Sequence, residues 1–209
     1  MSTAENVKAQ LSALLNQANN TTGKADANLT AAVASLAAGF GQGGSGSGGA
    51  TEPYIEEVID DDGNLINATV HGHTIRNYAF YNCSKLASTS LPSEITSIGT
   101  YAFYNCSNLA LTSLPSGITS IGDYAFRGCS MLALTSLPSG ITSIGNKAFY
   151  GCLGLASLTF EGKPKKISSS AFNQCTNLTT INVPWAQGAV ANAPWGAQNA
   201  TINYNYTGA

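Results

Sequence analysis

From residue 72 onward the apolar positions of this chain return with a single period. Phe80, Phe103, Phe126, Phe149 and Phe172, each preceded by alanine, stand 23 residues apart. Cys83, Cys106, Cys129, Cys152 and Cys175 keep the same interval, as do Leu86, Leu109, Leu132, Leu155 and Leu178, and Ile75, Ile98, Ile121, Ile144 and Ile167. Polar residues fill the positions between. Four registers without an insertion predict five 23-residue units over residues 72–183, with like side chains stacked coil upon coil.

Inside one unit, residues 109–114 read as a short strand closed by Pro115, a position where proline ends a ladder without interrupting it. Residues 118–122 read as a second extended segment and a turn. Residues 123–129 read as one helical turn, with Thr100, Asp123 and Asn146 at its N-cap in successive units. About seven apolar side chains per unit turn inward, each worth roughly 1.5–3 kcal/mol when buried. Ordering the backbone costs ~1–2 kcal/mol per residue, so one unit does not hold itself together, and stacking is what covers its apolar faces. The predicted fold class is a leucine-rich-repeat solenoid of short parallel strands and helical turns, with an N-terminal α-helical segment.

Residues 114–132, Leu-Pro-Ser-Gly-Ile-Thr-Ser-Ile-Gly-Asp-Tyr-Ala-Phe-Arg-Gly-Cys-Ser-Met-Leu, resemble the BspA-like leucine-rich repeat of bacterial surface proteins. The resemblance extends over residues 72–183. It implies a right-handed solenoid with a binding or adhesive role and no catalytic residues.

The ends depart from the period. Residues 54–59 and 65–70 flank Asp60-Asp-Asp-Gly-Asn64 and read as a β-hairpin capping the first coil, within a segment 51–71. The acidic turn does not complete an EF-hand, because Val70 or His71 stands where the last acidic ligand belongs. His71 and His73 read as solvated. Residues 184–209 drop the repeat and carry Trp185 and Trp195, read as a lid over the last coil, with stacking on a glycan as the alternative.

Residues 1–38 are of another kind. Val7, Leu11, Leu14 and Ala18, then Leu29, Val33, Leu36 and Phe40, follow the spacing of short amphipathic helices. Helices this short are marginal alone, so their stripes must meet each other, sister subunits or a docking partner; a homotrimer is one assembly such seams permit. Residues 39–50 form a glycine-serine tether. An anchoring or oligomerising base, a tether and a solenoid make an anchor with a presented head. The first segment, and the ending at residues 193–207, also resemble structural proteins of phages and prophages of gut Firmicutes, in the tail or at the virion surface. That resemblance implies a virion protein presenting its head for host-surface binding. The repeat equally implies a bacterial cell-surface adhesin.

Chemistry narrows the field further. Only 10% of the residues are charged and the net charge is −2, against about 25% charged in an ordinary globular protein. The nine Lys and Arg make no basic stripe, so nucleic acid is not an expected partner. No apolar run is long enough to span a membrane, and the first residues lack a secretory signal. The chain is therefore expected to be made in the cytoplasm and to leave by lysis or in a particle. In-register cysteines sit too far apart for disulfides and cannot converge on zinc, so they are expected to form a structural thiol column. No cofactor or metal site is expected, and no nucleophile–base pair, carboxylate pair or phosphate loop suggests an enzyme.

Two surfaces vary between units while the core stays uniform. Tyr81, Tyr104, Arg127 and Tyr150 form an aromatic and cationic stripe of a composition favoured at protein contacts. The strand face carries Ser88, Ser90, Ser113, Ser136, Ser157 and Thr159, with Leu111 and Leu134 expected as a small outward apolar patch. Either surface could receive a host-surface protein or glycan. Variation also accumulates wherever packing imposes no constraint.

Overall fold

The computed structural model describes residues 54–59 and 65–208. The helical stripes of residues 1–38, the tether at 39–50 and the acidic turn at 60–64 lie outside them. Strands β1 (Tyr54–Ile59) and β2 (Leu65–His71) pair antiparallel. Val70 joins the core, and Ile55, Leu65 and Ala68 pack against it.

Beyond the hairpin all pairing is parallel and between neighbouring coils. Strands β3 (Thr74–Ile75), β4 (Ser97–Ile98), β5 (Ser120–Ile121), β7 (Ser143–Ile144) and β9 (Lys166–Ile167) form a five-stranded sheet in that order. Each isoleucine pairs with the next, Ile75 with Ile98 through to Ile144 with Ile167. A four-stranded sheet, ordered β11-β10-β8-β6, comprises β6 (Ser136–Leu137), β8 (Ser157–Phe160), β10 (Thr180–Asn182) and β11 (Thr201–Asn203). It begins only in the third coil. Residues 109–114, expected as a strand, are not one, because Thr112 and Ser113 both face solvent and break the alternation a ladder needs.

The segment after the isoleucine strand is not helical, and no helix occurs among the described residues. Tyr101 (φ 57) and Asn105 (φ 56) adopt the left-handed conformation, as do their counterparts Tyr124 and Gly128 one coil on. A left-handed residue every fourth position stops an α-helix and leaves a chain of tight turns. Alternate backbone N–H groups then serve two purposes. Ala102, Tyr104 and Cys106 donate three residues back within the coil, at 3.2–3.3 Å. Tyr101, Phe103 and Asn105 donate forward to the carbonyls of Asp123, Ala125 and Arg127, at 2.7–2.9 Å. The predicted cap is redirected by the same geometry: Asp123 Oδ1 accepts from the backbone N–H of Asn146 in the next coil, at 2.7 Å.

Coils approach closely at the glycine that follows three of the isoleucine strands, Gly99, Gly122 and Gly145, while Ser168 holds that position in the fifth coil. A Cβ on Gly122 would lie 2.6 Å from the backbone nitrogen of Thr100, and one on Gly145 would lie 2.6 Å from that of Asp123. The first coil has no predecessor, and there the same register holds Arg76.

The solenoid makes about six turns where the sequence suggested five units. Val190 and Trp195 stand 23 residues after Ile167 and Phe172, and both are buried. Phe172 donates its N–H to the Trp195 carbonyl at 2.9 Å, and β11 pairs with β10. The substitution of tryptophan for phenylalanine and valine for isoleucine hides this last turn from a search for identical letters. Trp185 and Trp195 meet Phe160 with ring centroids 5.4 and 5.8 Å away and cover the end of the core. Buried so, they present no ring to a glycan.

The core is a column of phenylalanines. Consecutive rings from Phe80 to Phe172 lie 5.0–5.4 Å apart at interplanar angles of 3–12°. Each pair contributes about 0.5–1.5 kcal/mol beyond its area burial. Phe126→Ala removes the middle ring and is expected to destabilise the solenoid by roughly 3–5 kcal/mol. Urea denaturation checks this, and a loss under 1 kcal/mol would contradict the column as the main support.

Candidate binding surface

The cysteines follow the phenylalanines by three positions and point inward beside them. The Sγ atoms of Cys106, Cys129, Cys152 and Cys175 donate to the carbonyls of Phe80, Phe103, Phe126 and Phe149 in the preceding coil, at 2.9–3.1 Å. Cys83 in the first coil is half-buried, with Sγ 3.9 Å from the Tyr81 carbonyl. No disulfide joins the five. Burial pushes the thiols of Cys106, Cys129 and Cys152 far above their ordinary range, and that of Cys175 up to about 12. The phenylalanine carbonyl gains a donor, and the thiol gains nothing that would make it a nucleophile.

Leu111 and Leu134 do not form an outward patch. They are 0% and 1% exposed, because alternation from Leu109 and Leu132 keeps the second residue on the same inward face. Units four and five place their inward residue one position later, at Leu158 and Ile181, so Ser157 and Thr180 face outward where Leu111 and Leu134 face in. The rest of the strand face is hydroxyl and amide beside the Glu161 carboxylate, and several of its groups bond one another. Asn203 donates to Asn182 Oδ1 at 2.8 Å, Asn182 to Thr159 Oγ1 at 3.2 Å, and Ser136 to Glu161 Oε1 at 2.7 Å.

On the turns, the stripe of Tyr81, Tyr104, Arg127 and Tyr150 is half-exposed and continuous. Tyr81 and Tyr104 stack at 4.8 Å. Arg127 lies between Tyr104 and Tyr150, 5.0 Å from each ring, and donates to the Tyr104 hydroxyl. A second column runs beside it: Tyr78 stacks on Tyr101 at 5.0 Å and Tyr101 on Tyr124 at 4.8 Å, with Lys147 next in register. Lys147 Nζ reaches the rings of Tyr124 and Tyr150 at 6.0 and 5.7 Å. The two columns touch edge to face, Tyr81 on Tyr101 at 6.2 Å. The sequence pattern led to the stripe of Tyr81, Tyr104, Arg127 and Tyr150 and not to this neighbouring column.

The backbone supplied a signal for the second column. Tyr78, Tyr101, Tyr124 and Lys147 all have φ between 51 and 61°, a region where large side chains cost on the order of 1–3 kcal/mol. The other left-handed position of the turn is filled by Asn82, Asn105, Gly128 and Gly151, which tolerate it cheaply, and by Gln174 in the fifth coil. Bulky residues thus occupy the costly site and project a phenol or an ammonium. Burial and the neighbouring Tyr124, Tyr78, Tyr104 and Tyr81 raise the phenol pKa of Tyr101.

With the coil geometry and its cysteine–phenylalanine pairing in view, the family model described as BspA type leucine rich repeat region matches residues 71–190 in six copies. The chain belongs to the BspA-type leucine-rich repeat family. Among solved structures, this BspA-type chain is similar to a leucine-rich repeat protein from Bacteroides ovatus, with 30% identity, a TM-score of 0.43 and coverage of 53% of this chain and 31% of that one. It is similar to the pneumococcal vaccine antigen PcpA, at 26% identity, TM-score 0.46 and coverage of 61% and 31%. A leucine-rich repeat protein from Eubacterium ventriosum gives 23% identity, TM-score 0.44 and coverage of 65% and 44%. The chain spans less than half the length of each of these three. Among curated proteins none matches. BspA-type repeats are typical of bacterial surface proteins, and leucine-rich repeat proteins are in general non-enzymatic binding scaffolds. Among the described residues no helix of this BspA-type chain is long and apolar enough to cross a membrane.

Two measurements test the site chemistry. A thiol held up to about 12 against an ordinary 9.0 leaves stability intact below pH 9. Above it the unfolded chain releases a proton that the folded chain keeps, so stability falls by ~1.4 kcal/mol per pH unit for each such thiol. Cys175→Ala is expected to show a shallower decline than the parent in denaturation at alkaline pH; identical slopes would contradict a raised thiol. In a spectrophotometric phenol titration, Tyr101→Phe is expected to remove a component ionising above the ordinary value of 10.0.

Proposed function

We propose that the solenoid is the non-enzymatic recognition head of an adhesive protein displayed at a bacterial surface, and that its turn face is the binding surface. The observation that carries this reading is the double column of half-exposed tyrosines holding Arg127 and Lys147, built partly on left-handed residues. Tyrosine and arginine are the residues that dominate binding energy at protein surfaces. On the strand face Ser136, Thr159, Asn182 and Asn203 are engaged in side-chain hydrogen bonds, and Leu111 and Leu134 are withdrawn from it. The six-copy family match and the general role of leucine-rich repeats in protein binding support the same assignment.

A second reading is display on a phage or prophage particle, with residues 1–38 contacting the virion or sister subunits. It rests on the base–tether–head layout of the sequence and on the two terminal resemblances. The head would work in the same way in both settings. Recovery of the native chain in purified particles decides for the virion, and recovery in the cell-envelope fraction decides for the adhesin.

Beads coated with the full chain are expected to adhere to the surface the native protein contacts. Tyr101→Ala combined with Arg127→Ala is expected to weaken adhesion about tenfold or more, as loss of central contacts does. Equal adhesion by parent and variant would remove the turn face from consideration.

A further inference from the structure

We propose that the tyrosine–cation face binds an acidic polysaccharide, a glycan carrying carboxylate, sulfate or phosphate, laid along the solenoid axis across Tyr101, Tyr104, Tyr124, Arg127, Lys147 and Tyr150. The inference rests on the turn face being the binding surface and gives that surface a ligand chemistry.

Three observations point to an anion. The first is that the ring faces are already occupied. Tyr101 is sandwiched by Tyr78 and Tyr124, and Tyr104 by Tyr81 and Arg127. Both cations approach Tyr150. A neutral sugar that binds by laying its C–H groups on an aromatic face finds the central rings, Tyr101, Tyr104 and Tyr124, taken on both sides. What the columns present is the ring rim, the positive part of the aromatic quadrupole, together with the hydroxyls.

The second observation is the direction of the hydrogen bonds. The Tyr104 hydroxyl accepts from Arg127, and the Tyr124 hydroxyl accepts from Asn146 Nδ2 at 3.2 Å. A phenol whose oxygen already accepts keeps its own O–H to give, and the bond it accepts strengthens it as a donor. The third is charge. Among the described residues neither Arg127 nor Lys147 makes an ion pair with a carboxylate. The flanking Asp123 has turned one oxygen onto the Asn146 N–H. The face therefore combines two cations with phenol donors and seeks acceptors.

Spacing and backbone decide for a glycan over an acidic peptide. The rungs repeat at 4.8–5.0 Å along each tyrosine column, close to the advance of one pyranose ring in a chain. A peptide would gain most by pairing its backbone. The turn N–H groups of Tyr101, Ala102, Phe103, Tyr104 and Asn105 are all consumed within or between coils.

The test uses the full chain, with biolayer interferometry against polygalacturonate, heparin and a glycerol-phosphate teichoic acid. Neutral dextran and polyglutamate serve as comparisons. Binding to at least one of the three acidic polysaccharides is expected, weakening with added salt. It is expected to drop about tenfold or more in Arg127→Gln/Lys147→Gln, as loss of charge-assisted hydrogen bonds requires. The three acidic probes separate carboxylate, sulfate and phosphate sources. Equal binding of dextran, tighter binding of polyglutamate, refusal of all three acidic polymers, or indifference to the double substitution overturns the proposal. Thermal melting of the variant guards against misreading a folding defect. If the polymers are refused while bead adhesion still depends on Tyr101 and Arg127, the ligand chemistry is wrong and the turn face stands. If adhesion ignores them as well, the reading of the face fails.

Discussion

Alternating hydrogen-bond donation along the turns is the constraint on which this molecule depends. Tyr101, Phe103 and Asn105 give their N–H groups to the next coil, while Ala102, Tyr104 and Cys106 close turns within their own. The isoleucine strands donate in the opposite sense, as Gly122 does to the Ile98 carbonyl at 2.8 Å. Each coil is therefore gripped from both sides, and no coil satisfies its backbone alone. Equal length of the interior coils follows directly, while the last turn, where Thr180 pairs with Thr201, is two residues shorter. A residue gained or lost in one unit would send every later donor to the wrong carbonyl.

The phenylalanine column and the thiols are fitted into that frame. The carbonyls of Phe80, Phe103, Phe126 and Phe149 each accept the N–H of the cysteine three residues on, and the thiol of the following coil reaches back as a second donor. A thiol suits the position because it is small and apolar enough to bury, yet supplies a weak donor. The same frame spaces the tyrosines. Rings fixed one coil apart stack whether or not anything binds them, and the cations enter where the tyrosine register lapses, at Arg127 and Lys147.

Much of this was legible in the residues. The period, the isoleucine pairing, the inward cysteines and the two strands of the hairpin follow from letters that repeat or alternate. Most of the failures turn on backbone conformation, and one on a change of residue type at kept positions. Asp123 looks like a helix cap, but left-handed Tyr124 and Gly128 prevent the helix and send the carboxylate to the neighbouring coil. Leu111 looks outward if the alternation is counted back from Leu114, but the paired solvent-facing Thr112 and Ser113 break that count and leave Leu111 on the face of Leu109. Trp195 and Val190 keep their places in the register while changing their letters. The column of Tyr78 and Tyr101 escaped the sequence reading, because nothing in a residue's type reveals the unfavourable φ that lines them up. The stripes of residues 1–38 lie outside the described residues.

The bare glycines between coils bear on how such a head changes size. Gly99, Gly122 and Gly145 let the second, third and fourth coils nest alike, while Arg76 at the first coil and the buried tryptophans at the last mark ends that do not nest onward. Duplication or loss of a whole interior unit, as recombination between near-identical segments produces, leaves both ends and every packing contact of the surviving coils unchanged. The reach of the head, and the number of rungs it offers outward, can thus evolve in whole steps while the interior stays the same.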